Sequence, residues 1–419
     1  MLNEFKKRNF FEAAEFTLTL LFAFFLLIDQ KIATYIIAGL GLNALIQGIR
    51  IGFRKPPMAY YPFVILFVCY LIGLFFTENF DYGSKDIETR LTFLLFPLFY
   101  GTFKRKMPLN KSWIIWFFIA GALLYLAINW YKAYDCFEIV RNRTCFESYA
   151  LSRWIHPTYA AMYLVVGSAL ALADAFGKNG NVLKKIAALL ISCVFYFFVY
   201  KFYSLGPWIS FVGMVATILF ALFYFRKKMA WFFVGIAVMA TVGVLAIQNL
   251  DLLASDYKAV KTELSDYFND KEAYIAANSN SAGSVNARLL IWNTSFQMIA
   301  DHPFGVGTGD GKDVLMEYYY ERGMNVYAEK QLNPHCQYLQ TAGSIGIVPA
   351  LFLIASLIYY LILGFKRKDY FLIILISAFA TGCLFESVLE RQWGILFFLF
   401  FLILFINNEQ ELKEDDVPA

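Results

Sequence analysis

Apolar residues run along this chain in long blocks separated by short polar clusters. A segment of about 20 apolar residues is what a helix needs to cross a bilayer. About twelve such spans can be laid out, of roughly 17–25 residues each. They fall near 11–29, 32–49, 59–77, 90–103, 112–131, 157–175, 183–201, 205–225, 229–248, 336–363, 370–386 and 392–407. The clusters between them are unequal. One set holds Arg50, Arg54 and Lys55; Lys104, Arg105, Lys106 and Lys111; Lys178, Lys184 and Lys185; Arg226, Lys227 and Lys228; and Lys366, Arg367 and Lys368. The alternate set holds only isolated cations such as Lys31, Lys85 and Lys132. Basic residues collect on the cytoplasmic side of a membrane, so this asymmetry orients every crossing and puts both termini in the cytoplasm. The pattern predicts an all-α polytopic membrane protein.

Two outer segments are long enough to fold. The first, 132–155, carries Cys136 and Cys145; the second, 249–334, is polar. In the second, Asp251–Phe268 has helical spacing and Asn278–Ser284 is a linker of small residues. The chain thus divides into nine spans over 1–248, a periplasmic loop domain over 249–335, three spans over 336–408 and an acidic tail over 409–419. The tail has the composition of a disordered segment.

Composition agrees with the pattern: 59% of residues are hydrophobic, 19% aromatic and 16% charged, against about 25% charged in soluble domains. The formal net charge of +4 comes from cations confined to short loops, so it gives no nucleic-acid-binding surface. Met1–Phe10 carries Lys6, Lys7 and Arg8, but no small-residue cleavage site follows, and the first apolar run reads as a retained span. Cys69, Cys193 and Cys383 fall in spans, where a buried free thiol is the plain reading. Cys136 and Cys145 share an outer loop, where an oxidising compartment would join them in a disulfide.

Between Asn286 and Ile347 the chain carries most of its candidate chemistry. Val285, Leu289, Trp292, Phe296 and Ile299 lie at helical spacing, with Arg288 one turn before Trp292. Asp301, His302 and Pro303 end that helix, and Gly305, Gly307, Gly309 and Gly311 follow in a loop able to turn tightly. The loop lacks the Lys-Ser/Thr of a phosphate-binding P-loop and reads as a turn. The three histidines all fall near the outer boundary. His302 has the place of a helix C-cap. His156 opens a span, as an interface anchor or a catalytic group. His335, after Asn333 and Pro334, is open to two readings, a helix cap or a base that takes a proton from a sugar hydroxyl. Gln337 and Tyr338 beside it are placed to orient a glycan. Arg90, Arg153, Arg288 and Arg391 stand at the outer boundary, where guanidinium groups either snorkel, pair with acids such as Glu386 or Glu390, or hold diphosphate oxygens bidentately. Asp86 and Glu88 offer oxygen ligands for a metal, but two exposed carboxylates are more often simply solvated.

These residues resemble the O-antigen ligase/polymerase superfamily of bacterial inner membranes. The resemblance rests on Arg288-x-x-x-Trp292, then Asp301-His302-Pro303-x-Gly305-x-Gly307, then Asn333-Pro334-His335-x-x-x-Leu339 and Gly343-x-x-Gly346. Arg90 with Pro97, His156-Pro157-Thr158-Tyr159 and Glu386 to Trp393 add support. The family implies a GT-C-like bundle of about 12 helices with a helical periplasmic cap over a lateral cavity. It also implies inverting glycosyl transfer from undecaprenyl diphosphate, with no metal and no other cofactor. By position, His335 resembles the catalytic histidine, and Arg288 and Arg90 the diphosphate-binding arginines. One departure stands out: where many members carry an arginine after a serine, Ser204 is followed by Leu205. Lys201 or Arg153 would then supply that charge. As a ligase the chain would pass the glycan to lipid A-core, and one large outer loop holding both Arg288 and His335 favours this. As a polymerase it would pass it to another lipid-linked repeat. A flippase or transporter of lipid-linked glycan is a third possibility, but it would show charges along a crossing path, whereas these gather at one boundary.

Overall fold

A computed structural model of the chain describes residues 9–53, 55–102, 109–177, 180–249, 251–279 and 284–406. Arg54, Lys104, Arg105, Lys106, Lys178 and the acidic tail therefore lie outside the described residues. Among the described residues the protein is all-helical. In chain order the helices are α1 (Phe10–Phe25), α2 (Gln30–Ile51), α3 (Tyr61–Leu74), α4 (Phe80–Arg90), α5 (Thr92–Gly101), α6 (Lys111–Val140), α7 (Ser148–Leu151), α8 (Pro157–Phe176), α9 (Val182–Lys201) and α10 (Leu205–Phe225). They continue as α11 (Met229–Asn249), α12 (Asp251–Asn269), α13 (Lys271–Asn278), α14 (Ser284–Asp301), α15 (Gly311–Glu321), α16 (Asn325–Glu329), α17 (Gln337–Ile345), α18 (Ile347–Arg367), α19 (Tyr370–Gly382) and α20 (Gln392–Ile406).

Polar residues between the apolar runs set where helices begin. Asp29 accepts from the Lys31 and Ile32 amides, Asn110 from Trp113, Asn181 from Lys184, and Asp369 from Phe371 and Leu372. Each satisfies donors that a helix start leaves open. Among the described residues, six helices (α2, α6, α8, α9, α10 and α18) are long and apolar enough to cross a membrane, and the apolar helices near α3, α11, α19 and α20 are shorter. Helix α6, with 30 residues, is about 45 Å long and outruns a hydrocarbon core of about 30 Å. Cys136 on its last turns is joined to Cys145 by a disulfide, with a Cα–Cα distance of 6.0 Å.

Two spans differ from the sequence pattern. The run 336–363 is not one helix: it breaks at Gly346, whose φ of +99° is closed to most side chains. A Cβ there would stand 2.7 Å from the Phe304 carbonyl carbon. The run 90–103 forms only the ten-residue α5, preceded by the polar α4. Phenylalanine also goes inside as well as to the lipid face. Helix α20 is buried from Gly394 to Ile406, with Phe398 stacked on Phe379 at 3.6 Å and Phe397 on Tyr163 at 4.1 Å. A helix apolar on every side is a central one.

Helices α13 to α16 enclose a second apolar cluster around Leu290, Ile291, Leu315, Tyr319 and Tyr327. The glycine loop 303–311 fastens this region to the spans. Val306 and Gly307 donate to the carbonyls of Gly343 and Ser344 at 3.1 and 3.0 Å, and Ile347 donates to Pro303 at 3.0 Å. Asp310 accepts from the Glu78 and Asn79 amides, both at 2.8 Å. The loop is a turn, as its sequence reads, and also a clasp.

Candidate active site

The site starts from backbone geometry. Asn333 Oδ1 accepts the His335 amide at 3.1 Å, closing a tight turn after Pro334. The Trp292 indole, on α14, donates to the Pro334 carbonyl at 3.0 Å. His335 itself has φ +46°, a left-handed conformation that costs a β-carbon residue free energy and is held by its surroundings. Its first helical neighbour, Gln337, is fully buried. Gln337 donates its amide to Cys383 at 2.8 Å, and its side chain accepts the Leu389 amide at 2.6 Å. Those bonds draw the segment after α19, including the 3-10 turn Val388–Glu390, against the start of α17.

That segment delivers Glu386. His335 Nδ1 lies 3.7 Å from Glu386 Oε1, an ion-pair separation longer than a hydrogen bond, and Nδ1 has no hydrogen-bond partner among the described residues. Burial pushes the Glu386 carboxyl up, but His335 and then His156 outweigh it and hold the pKa below the ordinary carboxylate value. Arg288 stands one helical turn from Trp292 on α14. Desolvation acts against its charge and Glu386 acts for it. Its Nε is buried without a hydrogen-bond partner among the described residues. Glu386 thus stands 3.7 Å from His335 and within electrostatic reach of Arg288 and His156.

Other expected residues are placed differently. Arg90 is completely buried, with one terminal nitrogen paired with Asp86 and the other with Glu390. Its guanidinium also lies 4.1 Å over the Tyr70 ring. Its terminal nitrogens are turned to protein carboxylates, and Asp86 is committed to Arg90 instead of standing solvated. Burial pushes the Glu390 carboxyl up to about 7, Arg90 opposing and Asp86 reinforcing, as expected for two acids sharing one cation. Neither Glu386 nor Glu390 pairs with Arg391, the ion pair that neighbouring positions suggested. Arg153 donates to the Lys132 carbonyl at 2.9 Å, and Lys201 lies 3.9 Å from Glu147. Tyr338 donates to the Ala380 carbonyl at 2.9 Å, tying α17 to α19. His156 caps α8, its Nδ1 accepting the Thr158 amide at 3.3 Å while Nε2 meets the Tyr149 hydroxyl at 2.6 Å. His302 ends α14, its amide bonded to Met298. Among the described residues, no three His, Cys, Asp or Glu side chains converge as metal ligands.

Glu386 is the residue that sequence reasoning undervalued. Two carboxylates, Glu386 and Glu390, between two apolar runs are costly at a membrane boundary, and that was the available signal. Beside the glycine loop, a cavity of about 400 Å³ is lined by Ile72, Phe76, Phe304, Gly305, Ile345 and Pro349. The nine residues of α17, about 13 Å, separate it from His335.

The fold and site define a multi-pass helical membrane protein with an acid, a histidine and a guanidinium gathered at one boundary. Residues 186–354 match the family model described as O-antigen ligase, which supports the resemblance to the O-antigen ligase/polymerase superfamily over that part of the chain. The match includes Arg288 and His335. It implies a glycosyltransferase-type enzyme of O-antigen biosynthesis. No curated protein matches the chain.

Proposed function

We propose that the protein is an O-antigen ligase, transferring a glycan from undecaprenyl diphosphate to lipid A-core at the periplasmic face of the bacterial inner membrane. The observation that carries this reading is the approach of His335 Nδ1 to Glu386, with Arg288 beside them. With its Nδ1–H turned to Glu386, His335 keeps a lone pair on Nε2 for the acceptor hydroxyl. The hydroxyl oxygen attacks the anomeric carbon and its proton passes to Nε2. The bond from that carbon to the diphosphate breaks, and the diphosphate leaves with the electron pair. A single displacement inverts the anomeric centre. Arg288 stabilises the charge that develops on the departing diphosphate. Diphosphate is already a good leaving group, so this reading needs neither a nucleotide nor a metal.

In this reading about twelve spans surround the site, both termini are cytoplasmic, and 249–335 forms a periplasmic cap. The isoprenoid carrier lies along the bundle, and the apolar lining of the cavity beside Phe304 supports that placement. Arg90 supports the site from behind by fixing Glu390, and Arg153 and Lys201 act at its edge. A deletion strain tests the acceptor. Loss of every O-antigen-capped lipopolysaccharide chain is expected; survival of chains capped by a single repeat would instead make the protein a polymerase.

A further inference from the structure

The outer segment that carries the disulfide has no part in the transfer step, yet it is built to hold one side chain in place. Cys145 is joined to Cys136, Phe146 packs on Trp130 and Phe137 of α6 with ring centroids 4.8 and 5.8 Å away, and Leu151 is fully buried. Tyr203, beyond α9, donates to Glu147 at 3.4 Å. Within these anchors Ser148 has φ +45°, in the left-handed region that a residue with a β-carbon enters at a cost. The next residue, Tyr149, is 63% exposed, so the pinned segment presents it outward.

His156 decides what the Tyr149 hydroxyl can do. The Thr158 amide is a donor, so His156 Nδ1, 3.3 Å away, must offer it a lone pair. The ring proton is then on Nε2, which donates to the Tyr149 oxygen at 2.6 Å. That leaves the Tyr149 hydroxyl hydrogen to be donated elsewhere, and among the described residues no acceptor takes it. A run of contacts joins this pair to the proposed base. The His156 ring is near-perpendicular to the rings of Tyr149 and Tyr159, at 5.1 and 5.9 Å. Tyr159 donates to the Ser387 carbonyl at 3.1 Å, the Ser387 amide donates to Glu386 at 3.3 Å, and Glu386 lies 3.7 Å from His335.

We propose that Tyr149 binds a pyranose ring of the substrate, with His156 as its positioning residue. The inference rests on the glycosyl-transfer reading above and adds a carbohydrate contact to it. One face of a pyranose is a set of C–H groups, which lies well against the electron-rich face of an aromatic ring, and its rim of hydroxyls accepts hydrogen bonds. Tyr149 offers both an exposed ring and an uncommitted O–H. The sugar belongs either to the donor glycan or to lipid A-core, and binding separates the two.

Undecaprenyl-diphosphate glycan, undecaprenyl diphosphate without glycan, and lipid A-core are each titrated alone against the full-length protein in nanodiscs. Tyr149→Ala should weaken binding of one sugar-bearing lipid about fivefold to hundredfold, the loss of a ring contact and a hydrogen bond, and leave bare undecaprenyl diphosphate unchanged. Which lipid loses affinity identifies the source of the sugar. Tyr149→Phe keeps the ring and should retain part of the affinity. His156→Asn still caps α8 but lacks the Nε2–H, and should weaken binding of the same lipid; wild-type binding by it would overturn the positioning role. Tyr131→Ala, which removes an exposed tyrosine of α6, should bind all three as the wild type does. Wild-type affinity of Tyr149→Ala for both sugar-bearing lipids, or an equal loss for bare undecaprenyl diphosphate, overturns the proposal. Because no turnover is read, failure of the base assignment leaves these outcomes unchanged.

Discussion

At the scale of single residues, the site is governed by how few partners its charges have. Glu386 is held ionised because His335 and His156 outweigh its burial. A carboxyl with a depressed folded pKa contributes stability above its unfolded value, here 4.5, and loses it as pH falls through the lower folded value. The difference in melting temperature between wild type and Glu386→Gln should therefore be constant above about pH 5 and close in stronger acid. Thermal melts of the detergent-solubilised proteins across that range check this; a difference that widens in acid contradicts it. Arg288→Lys should cost about tenfold to hundredfold in transfer, since an ammonium lacks the fork. Full activity in a well-expressed Arg288→Ala protein would remove the residue from the site. His335 and Arg288 stand out as candidates in the sequence because their types and order are informative without coordinates. The pairing of Arg90 with Glu390 does not, because the two are 300 positions apart and nothing local announces the pair.

At the scale of elements, the proposed base His335 depends on a turn and a break. Trp292→Phe removes the indole donor to Pro334 while keeping an aromatic ring. It should cost about 0.5–1.5 kcal/mol in stability and lower turnover by loosening the backbone before His335. Turnover equal to wild type would show that the tie is not needed. Gly346→Ala places a side chain where φ is +99° and Phe304 is in contact, and should destabilise by about 1–3 kcal/mol. The break was invisible in the sequence because Ile345 and Ile347 flank it and hydropathy averages over backbone angles. The disulfide belongs to the same scale. Closing the short loop between Cys136 and Cys145 should stabilise the end of α6 by about 2–3 kcal/mol. Both thiols found free by mass spectrometry, in protein from an oxidising compartment, would refute it.

At the scale of the whole molecule, hydropathy showed where apolar helices fall but not which of them face lipid. Lipid tails and protein cores are equally apolar, so the phenylalanines of α20 gave no sign that they pack at the centre. Charge at the loops was more telling, because a polar group at a membrane boundary is costly unless it is used. The loops on the side of His335 carry few cations, and His335, Arg288 and His156 lie there within electrostatic reach of Glu386. The central claim is that His335 is the base of a glycosyl transfer. The most direct measurement is transfer from purified undecaprenyl-diphosphate glycan, with each histidine replaced in turn and with a chelator present. His335→Ala should lose about a hundredfold to ten-thousandfold in rate with its fold intact. His302→Ala should stay close to wild type, and the chelator should change nothing. Near-normal turnover in His335→Ala with a dead His156→Ala would contradict the account and move the base to the start of α8.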